Sequence, residues 1–325
     1  MNTLSNPLYP LLPSLLPAID RLLPDRWRMW PAPFGGRPPQ SVIDRFPRYD
    51  AVALAHRMRT KVLQETAFHV TAQSLERYVA DNLIVDIGLL RSWLHGGKGA
   101  IFASPHYGPF LGAALLFAAE GTIEHPSHVF YDPADAVPEN LQFDTFFGRF
   151  EGKLNVLHNQ APDLIKAGRA LRNKQCISIM FDVVQRAVDC MYVPFFDRMY
   201  PAMGGAAYLS LLSKAPEIPT YTVPEAGHKV RIVFGEPLLP ENFSGPEREQ
   251  NVFAMTSALF RDLQRQLSEA PWHWIYWKYV SQTSPFSAAM VRDDVALLEE
   301  IRQRVRATPQ LLKVAPTLAS LLEAP

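Results

Sequence analysis

The sequence has few cysteines and no long apolar run. Its 325 residues include two cysteines, Cys176 and Cys190, too few for a disulfide framework or a zinc cluster. Apolar neighbours indicate that Cys176 is a small core residue, and the low cysteine count suits a reducing, cytoplasmic setting. No stretch reaches the roughly 18 uninterrupted apolar residues expected of a membrane-spanning helix. Residues 4–23 come closest, but four prolines interrupt them, so we predict neither a span nor an ordinary signal peptide.

The chain also lacks net charge, because 32 basic residues balance 32 acidic ones. This balance argues against a nucleic-acid-binding protein, which would need a basic surface. The charge is uneven along the chain, since residues 1–61 carry nine Lys or Arg and four Asp or Glu, with Trp27 and Trp30 among them. This segment could lie on an anionic membrane face, or it could form an irregular arm packed on the protein's own surface.

Hydrophobic patterning divides the chain into an N-terminal helical and interfacial extension, a core, and a C-terminal linker with a peripheral helix. These segments are residues 1–96, 97–280 and 281–325. Apolar spacings of three and four predict helices in the extension at Ser41–Thr66 and Ala72–Leu94. The glycine-rich run at 95–99 ends that pattern.

In the core, short apolar runs rich in β-branched or aromatic residues alternate with helical stretches. This pattern predicts a mixed α/β fold with a mostly parallel central sheet flanked by helices. The predicted strands are Ala100–Ala103, His128–Tyr131, Lys153–Leu157, Ile177–Phe181, Met191–Phe195, Ile218–Val223 and Lys229–Phe234. The predicted helices are Phe110–Ala119, Ala161–Asn173, Gly205–Lys214 and Gln250–Glu269.

A histidine follows the first predicted core strand. His106 lies in a tight loop between that strand and a helix whose first position is Pro109. Open α/β sheets bind ligands at the carboxyl ends of their strands, and the N–H groups at a helix N-terminus favour developing negative charge. Because histidine titrates near neutrality, His106 can accept a proton from an attacking hydroxyl or amine. We therefore predict that His106 is a general base, with Tyr107 and Gly108 of its loop binding substrate.

A carboxylate follows another predicted core strand. Asp182 reaches the same sheet edge as His106 if the two strands are parallel neighbours. Gly204 and Gly205 open the next helix and permit close backbone approach to a substrate. Arg186, four residues after Asp182, is either a ligand for an anionic group or a solvated surface residue.

Several blocks between residues 97 and 279 follow one another in a recognisable order. They are the strand leading to His106, the strand ending at Asp182, the run Val193 to Phe196, the small-residue helix from Gly204, and the Trp-rich segment Pro271 to Lys278. In order and spacing they resemble the lipid A lauroyl and myristoyl acyltransferases of the lysophospholipid acyltransferase superfamily. The resemblance implies an α/β enzyme that moves an acyl chain from an acyl-carrier-protein or coenzyme A thioester to an acceptor. It implies no metal or flavin.

The chain departs from that family at one important position. Its members carry a carboxylate five residues after the histidine, where it orients the ring, but Leu111 stands there in this chain. Asp182 could approach His106 through space, a backbone carbonyl could fix the tautomer, or an amine acceptor could need less activation. The Trp-rich segment could line an acyl tunnel, lie at a lipid interface or pack in the core.

Three functions are compatible with these features. The first is acyl transfer to a hydroxyl or amine of a lipid-like acceptor, in the cytoplasm or peripherally on the cytoplasmic face of the inner membrane. The second is a carrier-protein-dependent acyltransferase of secondary metabolism, and the third is a non-catalytic acyl- or lipid-binding protein. The absence of a G-x-S-x-G elbow argues against a serine hydrolase, and the wrong glycine spacing around Lys98 excludes a P-loop enzyme.

Overall fold

A computed structural model describes residues 38, 40–46, 48–94, 99–132, 141–183, 191–196 and 198–277, together with the single positions 299, 302, 303 and 306. The predicted interfacial segment up to residue 37 lies outside the described residues. Arg186, Cys190 and most of the helix predicted at 293–307 also lie outside them.

The described α-helices flank a central sheet. They are α1 (Gln40–Ile43), α2 (Tyr49–Phe68), α3 (Leu75–Asn82), α4 (Ile87–Leu94), α5 (Leu111–Glu120), α6 (Leu141–Phe147), α7 (Ala161–Arg172), α8 (Gly205–Ser213) and α9 (Arg248–Glu269). Helix α5 is apolar on every side and is buried from Leu111 to Ala118, as expected for a helix enclosed by other elements.

The described strands form a central sheet and a hairpin. They are β1 (Leu83–Ile84), β2 (Ala100–Ser104), β3 (Ser127–Tyr131), β4 (Leu154–His158), β5 (Cys176–Met180), β6 (Met191–Phe195), β7 (Arg198–Ala202), β8 (Glu217–Glu225) and β9 (Lys229–Phe234). Seven of them make the sheet, in the order β1-β9-β8-β2-β5-β3-β4. Strands β8, β2, β5, β3 and β4 run parallel, whereas β9 is antiparallel to β8.

Both faces of the sheet are covered. Neighbouring residues of β2 show this, because Phe102 packs in a cluster with α5 whereas Ile101 packs in one with α7 and α8. A strand covered on both faces needs a continuous apolar run, and every residue of β2 is buried. The predicted fold class, a mostly parallel α/β sheet flanked by helices, is confirmed.

Several details differ from the sequence-based expectation. The predicted helix Ser41–Thr66 is two helices, α1 and α2. Strand β1 lies within the segment predicted as an N-terminal extension, yet it pairs with β9 at the edge of the sheet. The predicted strand at Met191–Phe195 forms, but it pairs with β7 in a separate antiparallel hairpin. The predicted helix Ala72–Leu94 is two helices, α3 and α4, with β1 between them. Among the described helices, none combines the length and apolar character needed to cross a membrane.

Candidate active site

His106 and Asp182 follow the ends of two paired strands. Strands β2 and β5 are parallel neighbours, and Ser104 at the end of one lies opposite Met180 at the end of the other. His106 and Asp182 each lie two residues beyond that pair, at the carboxyl edge of the sheet. The parallel register therefore places the ring and the carboxylate side by side, as the sequence had suggested for parallel neighbours.

Asp182 is completely buried, and three N–H groups face its carboxylate. Its Oδ2 accepts the backbone N–H of His106 at 2.7 Å and the indole N–H of Trp274 at 2.7 Å. Its Oδ1 lies 2.8 Å from Nδ1 of the His106 ring. The Tyr200 hydroxyl donates to its backbone carbonyl at 2.7 Å. A buried carboxylate needs such partners, so Asp182 is held in one position.

This arrangement sets the orientation and tautomer of His106. Two obligate donors occupy Oδ2, so we infer that Nδ1–H of the ring donates to Oδ1 and that Nε2 carries the lone pair. The His106 side chain is 15% exposed, and the rings of Phe110 and Tyr276 pack against it at 5.0 and 4.7 Å. A histidine held by a carboxylate with a free Nε2 is equipped to act as a general base.

A cavity of about 250 Å³ adjoins His106. Its lining is mainly apolar and comes from both sides of the sheet, with Ala114 on α5, Met180 on β5 and Leu209 on α8. Phe143 and Phe147 of α6 also line it. Ligand sites of open α/β sheets lie at the carboxyl ends of the strands, and this cavity has that location.

The N–H groups of the His106 loop are already committed within the protein. The N–H of Tyr107 donates to Pro105, that of Gly108 to His273, and that of Phe110 to Gly108. At the start of α5 the Leu111 N–H donates to the Gln64 side chain. We had expected this loop to supply an oxyanion site, and that expectation is corrected, because its N–H groups have no spare capacity in this conformation.

Tyr107 and Gly108 fix the shape of the loop. Tyr107 is 3% exposed, and its ring packs on those of Tyr221 and His273. Gly108 has φ of +61°, and a Cβ there would lie 2.0 Å from the carbonyl oxygen of Thr222. Only glycine fits this close approach. Neither residue is among those that line the cavity, in contrast to their predicted role in substrate binding.

The remaining predicted residues divide between packing and the cavity. A Cβ on Gly204 would come within 2.7 Å of Met191 and Val252, so its close approach is to the protein itself. Gly205 has open space around it and lines the cavity. Leu111 stands where the acyltransferases that the sequence resembles carry a carboxylate. It is the first residue of α5, is 1% exposed, packs in the apolar core and also lines the cavity.

Sequence reasoning missed the role of Trp274. The Trp-rich segment was expected to line a tunnel, meet lipid or pack in the core, and Trp274 is indeed 3% exposed. Its indole N–H, however, donates a hydrogen bond to the carboxylate of Asp182, which is 92 residues away in the chain. From the same segment, Tyr276 contacts His106 and lines the cavity. A buried indole needs a hydrogen-bond acceptor, and that requirement was the available signal.

The fold and the site together define an α/β protein with a histidine–carboxylate pair beside an apolar cavity. Among the described residues, no group of three or more His, Cys, Asp or Glu is arranged to hold a metal ion. No family model matches the chain, and no curated protein matches it.

Proposed function

We propose that this protein is an acyltransferase. It moves an acyl chain from an acyl-carrier-protein or coenzyme A thioester to a hydroxyl or amine of a lipid-like acceptor. The observation that carries the proposal is the His106 ring, held by buried Asp182 next to an apolar cavity. Such a pair supplies the base, and such a cavity suits an alkyl chain.

The chemistry follows from the orientation of the ring. Nε2 of His106 takes the proton of the acceptor while the acceptor's oxygen or nitrogen forms a bond to the thioester carbonyl carbon. Asp182 stabilises the resulting imidazolium through Nδ1–H. When the tetrahedral intermediate collapses, the carbon–sulfur bond breaks, and the imidazolium returns the proton to the departing thiolate.

We assign to the Ser104 hydroxyl the role of holding the carbonyl oxygen of the thioester. Ser104 lies two residues before His106, lines the cavity, and is 4% exposed. Among the residues that the structure describes, its buried hydroxyl has no hydrogen-bond partner. Because the loop N–H groups are committed, rotation of this hydroxyl toward the cavity is our candidate for stabilising the developing oxyanion.

A thioester assay with matched histidine variants tests this function. The wild-type protein should release thiol from acyl-carrier-protein or coenzyme A thioesters and transfer the acyl group to members of an alcohol and amine panel. The variant His106→Ala should lose at least about a hundredfold in rate, since general-base catalysis contributes that much. The exposed His125 provides the control, and His125→Ala should match wild type. Equal rates for wild type and His106→Ala would reject the proposal.

Filling the cavity should change which acyl chains are used. Ala114 of α5 is 9% exposed and lines the cavity. We expect Ala114→Phe to lower kcat/KM for the longest accepted donors by about tenfold or more, since each excluded methylene forfeits favourable burial. The shortest donors should be nearly unaffected, and they are the internal control. A uniform loss across chain lengths would place the acyl chain elsewhere.

The partner and the location belong to the same proposal. We propose a cytoplasmic protein that contacts an anionic membrane peripherally, supported by the basic excess of residues 1–61. Co-sedimentation with vesicles of anionic lipid would support this. Transfer to a carrier-bound acceptor without vesicle binding would instead favour the enzyme of secondary metabolism. Binding of thioesters without turnover would favour the non-catalytic alternative.

A further inference from the structure

A second polar cluster lies where helix α2 meets the short 3-10 turn Pro271–His273. Its members are His56 and Arg59 of α2 with Trp272 and His273 of the turn. The His56 ring stacks on Trp272 at 5.2 Å between centroids and meets His273 edge-on at 4.8 Å. Burial lowers the pKa of both histidines, and the charge of Arg59, one turn after His56 on α2, lowers it further. The four side chains therefore occupy one small region.

Within the described ranges of the chain, every side chain of this cluster has a buried nitrogen without a hydrogen-bond partner. These atoms are Nδ1 of His56, Nε of Arg59, Nε1 of Trp272 and Nδ1 of His273. Farther along α2, Nε2 of Gln64 is in the same condition. Leaving a buried donor unpaired is costly, and native proteins leave few of them. Several in one place indicate that a hydrogen-bond acceptor belongs there.

The missing acceptor carries negative charge. The Arg59 and Trp272 nitrogens can only donate, and the Arg59 guanidinium is always charged. Among the described residues, Arg59 has no acidic partner. Burial, His56 and Arg59 together lower the pKa of His273 to about 3. Burial, and after it the charge of Glu269 at the end of α9, raises the pKa of the neighbouring Tyr107 hydroxyl. An anion would pair the donors and would favour the protonated form of the two histidines.

The cluster is joined to the candidate active site through the backbone. The carbonyl of His273 accepts the N–H of Gly108 at 2.9 Å, and the His273 ring packs on Tyr107 at 4.9 Å. Gln64 meanwhile accepts the N–H of Leu111 at 3.1 Å. A ligand in the cluster would thus lie directly behind the loop that carries His106.

We propose that His56, Arg59, Trp272 and His273 form a binding site for a phosphate group, free or borne by a larger molecule. A phosphate has several acceptor oxygens for these donors, and arginine pairs well with it. The site is separate from the apolar cavity, and its occupancy does not depend on the proposed acyl transfer.

Two arginine variants of α2 test the site. Thermal unfolding is followed in inorganic phosphate and in chloride at the same ionic strength. Phosphate should raise the Tm of wild type, because a ligand that binds the folded state stabilises it. The variant Arg59→Gln should bind phosphate about tenfold or more weakly, as expected for loss of a charged hydrogen-bond donor. The exposed neighbour Arg57 is the control, and Arg57→Gln should keep the wild-type response.

A measurement on the unaltered protein covers the case in which Arg59→Gln does not fold. Histidine ring signals are titrated by NMR in phosphate and in chloride. A bound anion favours the protonated ring, so phosphate should raise the pKa of His273 from its depressed value. Unchanged His273 signals with an unchanged Tm would mean that ordered water alone pairs these nitrogens, and the proposal would be overturned.

The source of the phosphate is resolved by two further probes. Coenzyme A represents soluble phosphate esters, and vesicles of phosphatidic acid in phosphatidylcholine represent a lipid headgroup, with pure phosphatidylcholine as the blank. Binding of either probe that Arg59→Gln weakens and Arg57→Gln leaves intact supports the site and names its source. Equal binding by both variants would place the phosphate elsewhere and reject this assignment.

Discussion

Two carboxylates, one just beyond a sheet strand and one within a strand, are completely buried in opposite surroundings. Asp182, beyond the carboxyl end of β5, is faced by three N–H donors. Glu217 is the first residue of β8, an interior strand, where it lies opposite Ile101 of β2. Within the part of the chain that the structure describes, neither of its carboxylate oxygens has a hydrogen-bond partner. Burial raises the pKa of Glu217 to about 8. Burial therefore does not distinguish the two carboxylates, whereas the convergent donors and the contact with His106 make Asp182 the candidate functional group.

The largest effect is expected from removing the charge at Asp182. In Asp182→Asn, an amide replaces an acceptor that serves the His106 backbone, the His106 ring and the Trp274 indole. We expect the rate of acyl transfer to fall by about a thousandfold to ten-thousandfold, by analogy with carboxylate-to-amide changes in serine-protease triads. Steady-state kinetics with a thioester donor measures this. A loss of less than tenfold would show that Asp182 does not orient the ring for catalysis.

The corresponding change at Glu217 should alter stability and leave activity intact. The unfolded state loses this proton near pH 4.5 and the folded state near pH 8, so the folded state holds more protons between these values. The contribution of Glu217 to the free energy of unfolding is therefore greatest below about pH 4.5. It falls as pH rises toward 8, by up to about 1.4 kcal/mol per pH unit.

Urea unfolding of Glu217→Gln across this pH range checks the expectation. Gln cannot ionise, so the variant should lose less stability between pH 5 and pH 8 than wild type, and it should be the more stable protein at pH 8. Its kcat should equal that of wild type. Parallel pH profiles for the two proteins would mean that Glu217 is not held protonated by burial.

Removing a single donor from Asp182 should have a smaller effect than removing the carboxylate. Trp274→Phe keeps an aromatic ring in the core and deletes the indole N–H that reaches Oδ2. A hydrogen bond to a charged group contributes about 1.5–3 kcal/mol, so we expect a loss of about ten- to a hundredfold in kcat. Trp277→Phe is the matched control, because that indole donates to the Pro271 carbonyl rather than to Asp182. Equal losses in both variants would indicate a general packing defect.

The edge that carries the site could be predicted from sequence, and its hydrogen bonds could not. His106 and Asp182 each follow a short apolar run, and such runs alternate with helical stretches as in a parallel sheet. The two residues therefore lie close together once their strands are neighbours. Strand order depends on contacts between residues that are far apart in the sequence, and the pattern of apolar residues does not predict it. The contact of Trp274 with Asp182 depends on the path of the whole chain between them.

Predictions from the local sequence were also wrong for the His106 loop and for Gly204. A helix N-terminus after His106 suggested free N–H groups, but Gln64 from α2 and the His273 carbonyl occupy two of them. Gly204 suggested close approach to a substrate, whereas its neighbours are Met191 and Val252. In each case a tertiary partner satisfied a group that the local sequence left open.

The most direct test of the central claim is a double-mutant cycle of His106→Ala and Asp182→Asn in the acyl-transfer assay. If Asp182 acts through the His106 ring, the double variant should be no slower than His106→Ala alone, as for residues that act as one unit. Losses that multiply in the double variant would contradict the claim, as would full activity in His106→Ala.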